Sequence, residues 1–110
     1  GATKRVALYN ATRYSRFVIR SFSDKRTESI FQGRRAKGLP TEIQQLARRK
    51  LRMLDAATVI DDLKIPPSNR LEKLKGNRRG QHSIRINNQW RVCFAWQGRG
   101  ASDVEIVDYH

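Results

Sequence analysis

The hydrophobic and polar positions divide the chain into short blocks with two different periods. From His82 onward the period is two. His82, Ile84 and Ile86 alternate with Ser83 and Arg85, as on a half-buried strand. Asn87-Asn88-Gln89 then turns the chain, since asparagine tolerates left-handed backbone angles. The return strand sets Trp90, Val92, Phe94 and Trp96 on one face and Arg91, Cys93 and Ala95 on the other. One face is an apolar stripe. The other carries an arginine in mid-strand, which must reach solvent, a carboxylate or a ligand, because burying an unpaired charge is prohibitive. A Gly-rich turn over 97–102 leads to a third strand, Asp103 to Asp108, with Val104 and Ile106 on one side and Val107 on the other.

Before residue 65 the longer blocks have a helical period. Val18 to Phe22 is a short strand. Ser23 is placed to cap a helix over Asp24 to Gln32 that buries Ile30 and Phe31 and stops at Gly33. Thr41 is placed to cap the main helix, with Gln44 completing a capping box. Ile43, Leu46, Ala47, Leu51 and Leu54 recur at helical spacing and mark its buried face, so Arg48, Arg49, Lys50 and Arg52 point mostly outward. Asp55 to Lys64 reads as a second short helix with Val59, Ile60 and Leu63 apolar, ended by Pro66-Pro67. A strand, then helices, then antiparallel strands is an α+β layout. Residues 1–17 show no sustained period and are read as an extension to a domain spanning 18–110, either an artificial remnant, translated upstream sequence or a disordered arm; with Lys4, Arg5, Arg13 and Arg16 and no acid, a nucleic-acid-binding arm stays open as well.

Composition adds a partner class to this fold class. A chain of 110 residues is one domain. Its net charge of +13 points first to nucleic acid, then to an acidic protein or a membrane surface. Lys73, Lys75, Arg78 and Arg79, interleaved with Gly76 and Gly80, gather cations just before the hairpin. Arg34, Arg35 and Lys37 in the loop Gly33 to Pro40 serve equally as a solvated connection or a second cationic contact. Cys93 is the lone cysteine and reads as a small buried hydrophobe, which fits a reducing setting such as the cytoplasm. No apolar run reaches the length of a membrane span. There is no metal-ligand spacing, and two histidines are too few for an ordinary zinc site, so no cofactor is expected.

Several segments together resemble one family. These are IRSF near the start, the helix around ARRKLRMLDAAT, the stretch PPSNRLEKLKGNRRGQHSIRINNQWRVCFAW, and the end VEIVDYH. From Val18 onward the chain is similar to HigB-type toxins, the plasmid-maintenance killer proteins of the RelE/ParE superfamily. Val18 stands where those proteins have their initiator methionine. The resemblance implies a RelE-like fold, a twisted antiparallel sheet with an N-terminal strand and helices packed on one face. It implies an endoribonuclease of a type II toxin-antitoxin system that enters the ribosomal A site and cuts translated mRNA. It also implies neutralisation by a HigA-type antitoxin with a helix-turn-helix, through which alone operator DNA would be reached.

Carried over residue by residue, the resemblance places Arg91, Asp108, Tyr109 and His110 in the catalytic cluster and makes Lys75 the basic position of LKG. Glu72 stands where the best-studied branch has a histidine, so it is the candidate to replace that proton acceptor. Lys73, Lys75, Arg78 and Arg79 would bind backbone phosphates. Arg91 would clamp the scissile phosphate, and His110 would act as general acid. Each residue also has a plain structural role open to it. Arg91 can pair with Asp108 or Glu105, Tyr109 can pack the last strand, and some of the loop cations are solvated surface. Two other functions stay open on the same charge pattern. One is a ParE-like gyrase inhibitor, which would need no Asp108-Tyr109-His110 cluster. The other is a non-catalytic RNA- or DNA-binding module.

Overall fold

The apolar stripe of the return strand finds its partners on two helices. In the computed structural model, which describes residues 18–109, helix α1 spans Lys25–Phe31 and helix α2 spans Thr41–Ala56. Strands β1 (Glu72–Lys73), β2 (Gln81–Arg85), β3 (Trp90–Gln97) and β4 (Gly100–Asp108) form one antiparallel sheet in the order β1-β2-β3-β4. Ile43, Ala47, Leu51 and Leu54 of α2 pack with Ile84, Val92, Phe94, Val104 and Ile106 of the sheet, and Ile30 and Phe31 of α1 join them. This is the expected α+β fold with helices on one face. The expectations for residues 1–17 and for His110 lie outside the described residues.

The N-terminal strand is reduced to two isolated parallel bridges, Ile19 to Ala101 and Phe22 to Val104. It is fastened at both ends. The Val18 and Ile19 amides donate to Asp55 Oδ1 at 3.1 and 3.0 Å. Further along, Ser21 Oγ accepts from the Asp103 amide at 2.8 Å, and Ser23 Oγ donates to the Asp103 carbonyl at 3.1 Å. Asp103 sits at φ 54°, in a bulge where the β3–β4 register shifts between Cys93 and Ala95. The extra residue keeps Val104 and Ile106 on the core side.

Five sequence expectations are corrected. The α1 cap is Asp24, whose Oδ1 accepts from the Thr27 amide at 2.8 Å, because Ser23 is committed to Asp103. Thr41 is the first helical residue of α2 after Pro40, and no side chain caps this end. Gln44 turns back instead to satisfy the Ala36 amide and the Ala36 and Leu39 carbonyls, which the loop would otherwise leave unpaired. The second helix is a continuation of α2 to Ala56 and then a 3₁₀ turn, Ile60–Lys64, that buries Leu63 but leaves Val59 exposed. The supposed turn 97–102 is mostly strand, because small Ala101 is fully buried opposite Trp96. Finally, Lys50 does not face solvent. It is buried, and its Nζ donates to the Oδ1 of fully buried Asn69 at 2.6 Å.

Candidate active site

The strand register decides which polar residues meet. Arg91 lies opposite Arg85 on β2 and Val107 on β4, and Cys93 lies between Ser83 and Glu105. Ser83 in turn pairs with Glu72 on β1. Alternation therefore brings Glu72, Ser83, Arg91, Cys93 and Glu105 to the sheet face away from the helices. The like charges of Arg85 and Arg91 are kept apart because Arg85 hydrogen-bonds Asn88 in the hairpin turn.

Arg91 is only 7% exposed, so this face is roofed rather than open. Its Nε donates to Ser83 Oγ at 2.7 Å. Its Nη2 donates to the Arg70 carbonyl at 2.5 Å and lies 3.5 Å from Glu72 Oε1. Tyr109 covers the guanidinium, with 5.5 Å from Arg91 Cζ to the ring centroid. A buried guanidinium with an opposite charge and neutral acceptors around it keeps its charge at tolerable cost. Its orientation is thereby fixed before any ligand arrives.

The wall that supplies the Arg70 carbonyl is braced from the far side. Arg70 sits in the left-handed region, φ 46°, after the 3₁₀ turn Pro67–Asn69. Asn69 Nδ2 donates to the Leu63 carbonyl at 3.1 Å while its Oδ1 takes the Lys50 ammonium. Burial, and secondarily Arg49 and Arg85, push the Lys50 pKa down. Lys50 and Asn69 thus fix the turn that presents Arg70 to Arg91. Neither Ser83 nor Arg70 stands out in the sequence. The usable signal for Ser83 was a small polar residue on the arginine's side of the alternation.

The basic loop splits into two parts. Lys73, Lys75 and Arg79 line an open cleft of about 430 Å³ with Leu74, Gly76 and Gly80. Arg78 turns the other way, its Nη1 donating to Gln81 Oε1 at 3.0 Å and its Nη2 to Glu105 Oε1 at 3.1 Å. Together with Arg91 and Glu72 it closes over Cys93, whose buried thiol has a raised pKa, with desolvation as the main cause. Asp108 lies opposite Trp90, and its Oδ2 accepts from Gln89 Nε2 at 3.1 Å. The structure thus brings Glu72, Arg91 and Tyr109 together, lines the neighbouring cleft with three of the four predicted loop cations, and holds Asp108 at the hairpin end. His82, opposite Lys73, stacks beside Phe94 with ring centroids 6.3 Å apart. Among the described residues no group of three or more His, Cys, Asp or Glu is arranged to hold a metal ion.

Comparison with known proteins identifies the family. Residues 20–110 match the family described as the RelE-like toxin of type II toxin-antitoxin system HigB. Toxin HigB-1 of Vibrio cholerae is 45% identical over 76 residues, 68% of this chain and 80% of the relative. Endoribonuclease HigB of Proteus vulgaris is 30% identical over 93 residues, 84% of this chain and 100% of the relative. With the family match running through the helices, the basic loop and all four strands, the chain belongs to the HigB family of RelE-like toxins of type II toxin-antitoxin systems.

Proposed function

We propose that this toxin is a ribosome-dependent endoribonuclease that cuts translated mRNA in the A site, and that a HigA-type antitoxin carrying a helix-turn-helix neutralises it. The observation that carries the reading is the guanidinium of Arg91, fixed by Ser83, Arg70 and Glu72 under the Tyr109 ring and neighboured by a cationic cleft. Such a group is preorganised for charge that develops on a phosphate. The related toxin of Proteus vulgaris carries the name endoribonuclease. A ribosomal target places the activity in the cytoplasm, and among the described residues no helix is long and apolar enough to cross a membrane.

In this mechanism the ribose 2′-oxygen attacks its own 3′-phosphorus while the bond from phosphorus to the 5′-oxygen breaks. The products are a 2′,3′-cyclic phosphate and a 5′-hydroxyl. Glu72 or Asp108 takes the 2′-hydroxyl proton, and His110 returns a proton to the leaving 5′-oxygen. Arg91 meets the charge of the phosphorane with the edge of its guanidinium that Ser83 does not occupy, so Glu72 must yield its long 3.5 Å contact to the phosphate. Tyr109 stacks on or hydrogen-bonds to the RNA. Lys73, Lys75 and Arg79 hold neighbouring phosphates. No metal or cofactor enters the scheme.

In vitro translation with mapped mRNA 5′ ends tests it. The expected result is cleavage that requires the ribosome and falls at A-site codons. Full cleavage by a folded protein ending at Asp108 would remove Tyr109 and His110 from the mechanism. Absence of mRNA cuts with loss of gyrase activity would move the chain to the ParE-like function.

A further inference from the structure

A second cationic hollow lies in the helix layer, across the sheet from Arg91. It measures about 200 Å³ and is lined by Ile30, Gly33, Gln44, Gln45 and the arginines Arg34, Arg35 and Arg48. Among the described residues no carboxylate forms an ion pair with any of these arginines. Arg48 Nε is buried and has no hydrogen-bond partner. A buried donor without an acceptor is costly, and native structures seldom leave one so.

The hollow is built around that guanidinium. Arg48 lies across Gly33, where a Cβ would come within 2.9 Å of Nη2 and where φ is +85°. A residue with a side chain at position 33 would be strained and would push Arg48 away. Gln44 is already engaged by the loop, its Oε1 accepting from the Ala36 amide and its Nε2 donating to the Ala36 and Leu39 carbonyls. Burial raises the pKa of the nearby Glu28 carboxyl, and Lys25 and Arg34 oppose that rise without reversing it.

We propose that this hollow is a second phosphate-binding site and that it takes a backbone phosphodiester of structured ribosomal RNA. This rests on the ribosomal function proposed above. Three guanidinium groups without carboxylate partners match a tetrahedral oxyanion in charge and in donor geometry. The position of the hollow decides between RNA partners. Cations on both faces of one small domain fit a protein enclosed by RNA in a cleft, and a single strand lying over Arg91 could not reach the helix layer. The mRNA is held on one side, and the RNA of the particle grips the other.

The test compares the wild-type chain with the triple variant Arg34→Gln/Arg35→Gln/Arg48→Gln, both checked by circular dichroism. Affinity for 70S ribosomes is measured across a salt series, and mRNA cleavage is followed at saturating and limiting ribosome concentrations. The variant should bind about tenfold more weakly, with a log–log salt slope shallower by roughly one to two contacts. KM should rise while the rate at saturation stays unchanged. Inorganic phosphate added to the wild type should shift the Arg48 Nε–H resonance. Wild-type affinity and slope in the triple variant would overturn the proposal while leaving the ribosomal function intact. So would normal ribosome binding combined with lost antitoxin binding, which would assign the hollow to an acidic protein. Failure of the wild type itself to bind ribosomes would refute both readings, and the wild-type arm alone shows that.

Discussion

The cleft cations, at and after the edge strand β1, and Arg91, on the interior strand β3, carry the same charge, yet they are held in opposite ways. Lys73, Lys75 and Arg79 are exposed around an open cleft, free to sample many rotamers. Arg91 is buried and fixed by a hydroxyl, a carbonyl and a carboxylate. The first arrangement attracts a polyanion wherever its phosphates fall, and it is screened by salt. The second gives no reach but sets one donor orientation before RNA arrives. Affinity and chemistry should therefore separate along this line when residues are replaced.

Replacing Arg91 puts that separation to its hardest test. Arg91→Ala should reduce single-turnover mRNA cleavage on saturated ribosomes by about a hundredfold or more, the usual scale for an oxyanion-stabilising group. Because Arg91 is buried, the same change should also lower the thermal midpoint. Arg91→Lys keeps a charge but loses the fork, so it should fold better and still cleave poorly. Cleavage near wild type by Arg91→Lys would show that charge alone suffices at this position and would erase the contrast with the cleft.

Asn69→Ala sharpens the comparison from the supporting side. It leaves the buried Lys50 ammonium without its acceptor and should cost about 2 kcal/mol or more, read as a fall in denaturation midpoint. Lys50→Met together with Asn69→Ala should recover part of that loss, since no buried charge then remains. Equal stability of the single and double variants would show that Lys50 escapes to solvent.

The cleft is the milder case. Reversing charge at Lys73, Lys75 and Arg79 should make the salt slope of ribosome binding shallower by roughly 0.7 per lost phosphate contact. Lys75→Ala should weaken binding more than it slows the bound complex. Arg78 should stand apart, because its guanidinium is tied to Gln81 and Glu105. Arg78→Ala should change stability more than it changes the slope.

The smallest effect concerns His82. Burial first, and Lys73 second, hold its pKa below the ordinary 6.5. A lowered native pKa means that the unfolded chain binds more protons in that range. The His82 contribution is therefore complete above about pH 6.5 and is lost as pH falls toward the native value. The variant His82→Phe, whose ring can pack beside Phe94, should flatten the acid limb of a stability–pH curve. An unchanged limb would place the acid sensitivity on other groups.

The hairpin, the two-sided strand β3 and the buried stripe of α2 were legible in the sequence because each follows one strict period. The same logic required Arg91 to reach solvent, a carboxylate or a ligand; the carboxylate is Glu72 and not Glu105, one of the two acids the sequence offered, because Glu105 is paired with Arg78. What stayed hidden depends on contacts made across long stretches of chain. Lys50 reads as one more cation on a polar helix face until Asn69, 19 positions later, folds beneath it. The Arg70 contribution is a carbonyl, which no side-chain pattern can reveal. Ser23 and Thr41 were good caps in isolation, but Asp103 and the loop before Pro40 made other demands on their neighbourhood. Arg78 failed as a free cation because Glu105 sits 27 positions away in sequence and within 3.1 Å in space.

The mooring of the N-terminal segment has a consequence for the order of folding. Strands β2 to β4 form a meander of adjacent hairpins, whose closure needs only short loops. Residues 18–23 have almost nothing local to hold. Their acceptor Asp55 is 36 positions from Ile19, and the Ser21 hydroxyl waits for an amide 82 positions away. This early segment is thus expected to dock last, after the bulge at Asp103 exists to receive it. In a kinetic analysis Ile84→Val should slow folding, whereas Ile19→Val should mainly speed unfolding. A toxin built this way completes its core only once β4 has formed, so partly made chains should stay inert.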